Sequence, residues 1–209
     1  MRRVLLATLA MMAGAAPQVS QAAVTVYDNR IAHEAALAGA GFHNGVSQTY
    51  DGITTADNPT DIVGTTVGGI AYGTAGQVAS VVEYVAEDAL SMFNFGTGAV
   101  LYSGWFDEEL TLSVPKTFGF SALFATVFDP GSVIRITING ETQTVQTNGD
   151  GTLAFHGFLS DTPFTTITIA GIDSALITLD DLTLAVPEPA SLVLLGAALL
   201  GLGVTRRRR

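Results

Sequence analysis

Cysteine is absent from the 209 residues, so no disulfide framework, thiolate metal ligand or thiol nucleophile is available. Charge is scarce, at 13% of residues, and positive charge scarcer. Nine Lys and Arg stand against nineteen Asp and Glu, for a net charge of −10. Six of those bases sit at the ends, as Arg2, Arg3 and Arg206 to Arg209, which leaves Arg30, Lys116 and Arg135 in between. With Glu188 assigned to the tail, eighteen acids remain and the body carries −15. A body so acidic repels phosphate backbones and anionic head groups, which argues against nucleic acid and favours divalent cations or neutral carbohydrate. The only histidines are His33, His43 and His156. They form neither a His-Glu-x-x-His motif nor any i, i+4 pair, so zinc has no ligand pattern. No Gly-x-Ser-x-Gly elbow occurs. Gly64, Gly68, Gly69, Gly73 and Gly76 fit neither Rossmann nor P-loop spacing and read as turns and bulges. Asp57 to Asp61 lacks the glycine and closing glutamate of an EF-hand loop.

What is present is apolar: 48% hydrophobic residues and 23 glycines, enough for one domain with a real core and two tails. Met1-Arg2-Arg3 precedes an apolar run from Val4 to Ala16, and Ser20-Gln21-Ala22 offers small residues at −3 and −1 of a cleavage site. This is the layout of a secretory signal peptide, residues 1–22, with cleavage expected after Ala22 or Ala23.

At the other end, Pro187-Glu188-Pro189 holds the chain extended. Ala190 to Thr205 then forms a sixteen-residue apolar segment carrying Gly196, Gly201 and Gly203, closed by Arg206, Arg207, Arg208 and Arg209. As a helix it would be about 24 Å long, a little short of a bilayer core. The arginines would stay cytoplasmic and the acidic body outside. Motif, apolar helix and basic end together resemble the PEP-CTERM sorting tail, over residues 186–209. The resemblance implies an exported protein of a Gram-negative bacterium that makes exopolysaccharide. It would be anchored in the inner membrane as a precursor, then processed near the motif by an exosortase for the cell surface or extracellular matrix.

Residues 23–185 read as a single all-β domain with one short N-terminal helix, Arg30 to Ala40. Asp28 or Asn29 can cap that helix and Gly39 or Gly41 can end it. Strands are expected over 77–85, 99–103, 109–114, 117–128, 153–159, 164–170 and 175–184. Asn139-Gly140 should turn a hairpin over 132–147. Many short strands between frequent turns point to a β-sandwich, jelly-roll-like. From Phe118-Gly119-Phe120 through Phe155-His156-Gly157-Phe158 to Asp180-Asp181-Leu182, the body is similar to small PEP-CTERM proteins that themselves resemble carbohydrate-binding jelly rolls.

Two acidic groups are candidates for chemistry. Across Asp180-Asp181 the alternation slips by one residue, since Ile177 and Leu179 are odd while Leu182 and Leu184 are even. A bulge there would offer carbonyls and carboxylates to a hard cation. The resemblance to carbohydrate-binding jelly rolls implies Ca²⁺ near an Asp of the last strand, and Asp28, near the start of the domain, is a candidate companion ligand; the alternative is two solvated carboxylates. Asp107, Glu108 and Glu109 beside Trp105 could be paired acids next to a sugar-stacking ring, or simply a solvated turn. The expectation is a non-enzymatic exported module that is structural or polysaccharide-binding. The alternatives are an exopolysaccharide hydrolase and a permanently anchored adhesin or ice-binding protein.

Overall fold

The computed structural model describes residues 22–53, 60–74, 79–83, 99–103, 109–127, 133–172 and 176–187. The expectations for the leader, the apolar tail and its arginines, and for Trp105, Asp107 and Glu108, lie outside these residues.

The organising elements are two long strands, β8 (Glu109–Val127) and β11 (Ala154–Gly171). Each was expected as two strands. Each is one, because the chain bends without leaving the sheet. The bends coincide: Pro115-Lys116 interrupts the alternation of β8, and the β8–β11 register shifts between Leu159 and Phe164 and again before Thr166. Thr117 is buried at this corner, where its hydroxyl bonds the Ala185 carbonyl at 2.5 Å.

Below the bend, β8 and β11 belong to one layer. There β8 (109–114) pairs with β5 (Ile70–Thr74), and β5 with β4 (Thr66–Val67). On the other side β11 (167–171) pairs with β9 (Val133–Ile138), and β9 with β10 (Glu141–Gln146). Above the bend they belong to a second layer. β1 (Val24–Tyr27) edges β11 (157–160), and β8 (120–127) pairs with β12 (Leu176–Pro187). β12 pairs in turn with β7 (Ala99–Ser103) and with β2 (Phe42–Gln48), and β6 (Ala79–Glu83) and β3 (Thr60–Asp61) extend the β7 side. Inward residues of both layers, among them Leu110, Leu112, Ile136, Ile167, Phe120, Phe158 and Leu184, form one apolar cluster. The result is the expected sandwich, with its two layers continuous through shared bent strands.

The hairpin forms as the Asn-Gly signal requires, with Asn139 and Gly140 at φ 52° and 78° and Glu141 opposite Ile138. Helix α1 (Arg30–Gly39) is capped by Asn29, whose side chain accepts from the Ala32 amide, and Gly41 follows at φ +79°. Its buried residues, His33 and Leu37, are one turn apart. They lie on the outer surface of the second layer, over two glycines: His33 over Gly157 and Leu37 over Gly119.

Burial places His33 below the ordinary histidine range, an effect the Phe158 carbonyl opposes. Its Nδ1 has no partner and its Nε2 lies 3.4 Å from that carbonyl, so the neutral ring with the proton on Nε2 fits the site. The unfolded chain therefore binds a proton more readily than the folded one. Stability from this residue is fully present above about pH 6.5 and is lost as pH falls through the folded value. Urea unfolding at pH 7.5 and 5.5 should show a smaller acid loss in His33→Gln than in the wild type. Equal losses would mean that His33 does not titrate with folding.

Candidate functional site: a hydroxyl-lined sheet face

The outer surface of the first layer is built by register. Alternation sends Leu110, Leu112, Ile136, Ile167 and Ile169 inward, so their neighbours face out. Thr142 lies opposite Thr137, Thr137 opposite Thr168, and Thr168 opposite Thr111, which in turn faces Gly73. Four threonines thus form a rung across four adjacent strands, about 14 Å at ~4.8 Å per strand. The next rung runs from Thr166 to Ser113, Ala71 and Thr66. On the other side lie Thr144, Arg135, Ala170 and Glu109. The Thr137 and Thr142 hydroxyls bond each other at 2.9 Å.

At the hairpin end the rungs border a shallow groove of about 230 Å³, lined by Thr137, Asn139, Gly140, Thr165, Thr166 and Thr168. Asn139 forms its rim, donating to the Thr162 hydroxyl at 3.0 Å. The groove thus offers hydroxyls that donate and accept, and no charged side chain. This suits a neutral, hydroxyl-rich ligand. Each of these threonines is visible in the sequence as part of a period-two pattern. Their alignment across strands is not, because it depends on which strands pair and in what register.

The residues singled out for a cation are placed differently from one another. The bulge is present: the β12–β8 register shifts between Asp180 and Thr183, and Asp181 has φ 51°. Here β12 changes partner, from β7 to β2. Asp180 is 4% exposed and its Oδ1 accepts from the Asp181 amide at 2.6 Å. Asp181 accepts from Arg30 at 2.5 Å, and the Arg30 guanidinium lies 5.0 Å from the centre of the Phe155 ring. Asp28 contacts His156 Nδ1 at 3.0 Å, while Nε2 of the same ring lies 3.0 Å from the Gln146 carbonyl. Both aspartates therefore tether the start of α1, by separate partners. Among the described residues no group of three or more His, Asp or Glu side chains is arranged to hold a metal ion, and Asp28 and Asp181 are each engaged by a basic partner, His156 and Arg30.

The inner face holds a polar pair. Tyr72 donates to Tyr50 at 3.3 Å, with the rings edge to face. Burial pushes Tyr72 up to about 12. Burial also pushes Tyr50 far above the ordinary range, with smaller additions from Tyr72 and Asp180. Neither hydroxyl is poised to ionise, so both serve the core. Glu109 opens β8 exposed at the edge of the hydroxyl face. His43 lines a separate surface depression of about 300 Å³ with Glu34, Leu37 and Phe42. Pro187 closes β12, opposite Phe42.

Residues 185–209 match the family model of the PEP-CTERM protein-sorting motif, and such a tail marks an exported protein sorted to the cell envelope. A comparison with curated proteins gives no match. Among solved structures the chain is similar to the K2 cleaved adhesin domain of Lys-gingipain, at 15% identity over 70% of this chain and 98% of that one, TM-score 0.38. It is also similar to TmCBM61 in complex with β-1,4-galactotriose, at 12% identity over 57% of this chain and 88% of that one, TM-score 0.31. A third similarity is to a family two carbohydrate esterase from Cellvibrio japonicus, at 16% identity over 57% of this chain and 36% of that one, TM-score 0.25.

Proposed function

We propose that this exported protein is delivered by its sorting tail to the cell surface or extracellular matrix, where its β-domain acts as a non-catalytic module that binds neutral polysaccharide. The observation that carries the reading is the threonine rung Thr142–Thr137–Thr168–Thr111 with the uncharged groove beside it. Glycan hydroxyls exchange hydrogen bonds with side-chain hydroxyls and amides without desolvating an ion. A strongly acidic body discriminates against polyanions over the same surface. In this reading the leader (1–22) starts export, the apolar segment 190–205 anchors the precursor with its arginines inside, and an exosortase acts near Pro187-Glu188-Pro189.

Two arms test it. Sedimentation of the purified protein with insoluble cellulose, chitin and β-1,4-galactan should reveal binding to at least one. Thr137→Val with Thr168→Val, which keeps β-branching and removes the hydroxyls, should weaken it about tenfold or more, the effect of losing two hydrogen bonds at about 1 kcal/mol each. Retention of none of the three, or equal retention of the double variant, would count against the binding face. Replacing Pro187, Glu188 and Pro189 by alanine in an exosortase-bearing host should leave the precursor uncut. A mature mass independent of the motif would instead point to a permanently anchored protein.

A further inference from the structure

The sequence allows leader cleavage after either Ala22 or Ala23, and the two products differ at the edge of the fold. Ala23 precedes β1, whose first residue, Val24, pairs with Ser160 of β11. One step further, Ala23 and Asp161 bond reciprocally. The Ala23 amide donates to Asp161 Oδ1 at 3.0 Å, and the Asp161 amide donates to the Ala23 carbonyl at 3.1 Å. Cleavage after Ala22 keeps both contacts and turns the first into an ion pair, because the nitrogen already on the carboxylate becomes an α-ammonium. Charge-assisted bonds of this kind are stronger than their neutral counterparts. Cleavage after Ala23 removes both contacts and puts the new charge on Val24, which is 9% exposed and belongs to the apolar core.

We infer that the mature chain begins at Ala23 and that Asp161 is the carboxylate that receives its α-ammonium. Asp161 is thus a positioning residue for the processed terminus. It fixes the start of β1, the edge strand that ends at Tyr27, just before the Asp28–His156 contact. The inference rests on the export reading.

Full-length protein expressed in an exporting Gram-negative host, recovered from the periplasmic side, provides the test by N-terminal sequencing. Ala-Val-Thr-Val as the first residues is the expected result. A chain beginning at Val24, or at Ala22 or earlier within the leader, overturns the inference while leaving export intact. A chain still beginning at Met1 overturns export, and the inference with it. A second readout follows the ion pair itself. Amine acylation at pH 7.5 should be about two- to fivefold faster at the N-terminus of Asp161→Asn than of the wild type, the range an exposed ion pair supports. Asp161 is on the surface, so the variant should fold. Equal rates overturn the assignment to Asp161.

Discussion

Gly157→Ala is expected to destabilise the domain by about 1–3 kcal/mol, the usual result of overfilling a packed site. A Cβ at 157 would lie 2.5 Å from His33 Cγ and 2.6 Å from Cδ2. The His33 ring cannot swing clear, since it is 1% exposed and packed between Tyr27 and Phe155 at centroid distances of 5.6 and 5.9 Å. Helix α1 must rise off the sheet, loosening its Arg30–Asp181 tether. Gly119→Ala should cost a similar amount, because its Cβ would meet the Phe158 carbonyl at 2.8 Å and Leu37 Cδ2 at 3.1 Å, and the carbonyl is held in the sheet. Gly39→Ala provides the matched comparison. A Cβ there meets nothing within 4 Å, so loss of unfolded-chain freedom should stabilise by about 0.4–1 kcal/mol. Chemical denaturation of the three variants measures opposite signs for one substitution. A stable Gly157→Ala would mean that the helix does not rest on this notch.

Phe158→Ala should have the largest effect, about 3–5 kcal/mol, as for other buried aromatics cut back to alanine. The Phe158 side chain is fully buried and stacks on Phe120 at 4.7 Å with 13° between ring planes. It meets Phe124 edge to face at 6.4 Å. Phe158 and Phe120 are also directly opposite in the β11–β8 register, so the stack fixes which residues of the two long strands pair. Truncation leaves a cavity where the layers share one core and removes the contact that resists strand slippage. For a domain this size the midpoint should fall by about 6–20 °C, readable by calorimetry. Phe155→Ala on the outer surface should cost far less, because that ring is only half-buried.

Phe118-Gly119-Phe120 and His156-Gly157-Phe158 stood out in the sequence only through a family resemblance, and the purpose of their glycines was hidden. Each places an aromatic in the core and a glycine on the opposite side, and only the folded chain shows that a helix lies across both. The helix, its cap, the Asn139-Gly140 hairpin and the bulge at Asp180-Asp181 were legible because local rules govern them. The strand from Phe42 to Gln48 was not, since it contains Asn44-Gly45, ordinarily a turn signal. Gly45 is there because Val186 of β12 packs against it, within 2.5 Å of where a Cβ would be. Gly73 likewise proved to be a strand residue, in β5, while Gly64, Gly68 and Gly69 adopt positive φ as turns do. The threonine rungs were legible strand by strand and illegible as a surface, because their order is set by β11 lying between β8 and β9. Non-local pairing of that kind leaves no trace in a single segment.

The last paired residue of β12 has a mechanical implication for release. Pro187 is held opposite Phe42 at the end of the sheet, and two residues of extended chain reach no further than about 7 Å. If the tail is cut near Pro187-Glu188-Pro189 as proposed, the cut falls within a few residues of the sheet, and the Phe42–Pro187 rung is the nearest paired contact. Tightness of that final rung, more than the accessibility of a loop, would set how fast the protein is let go.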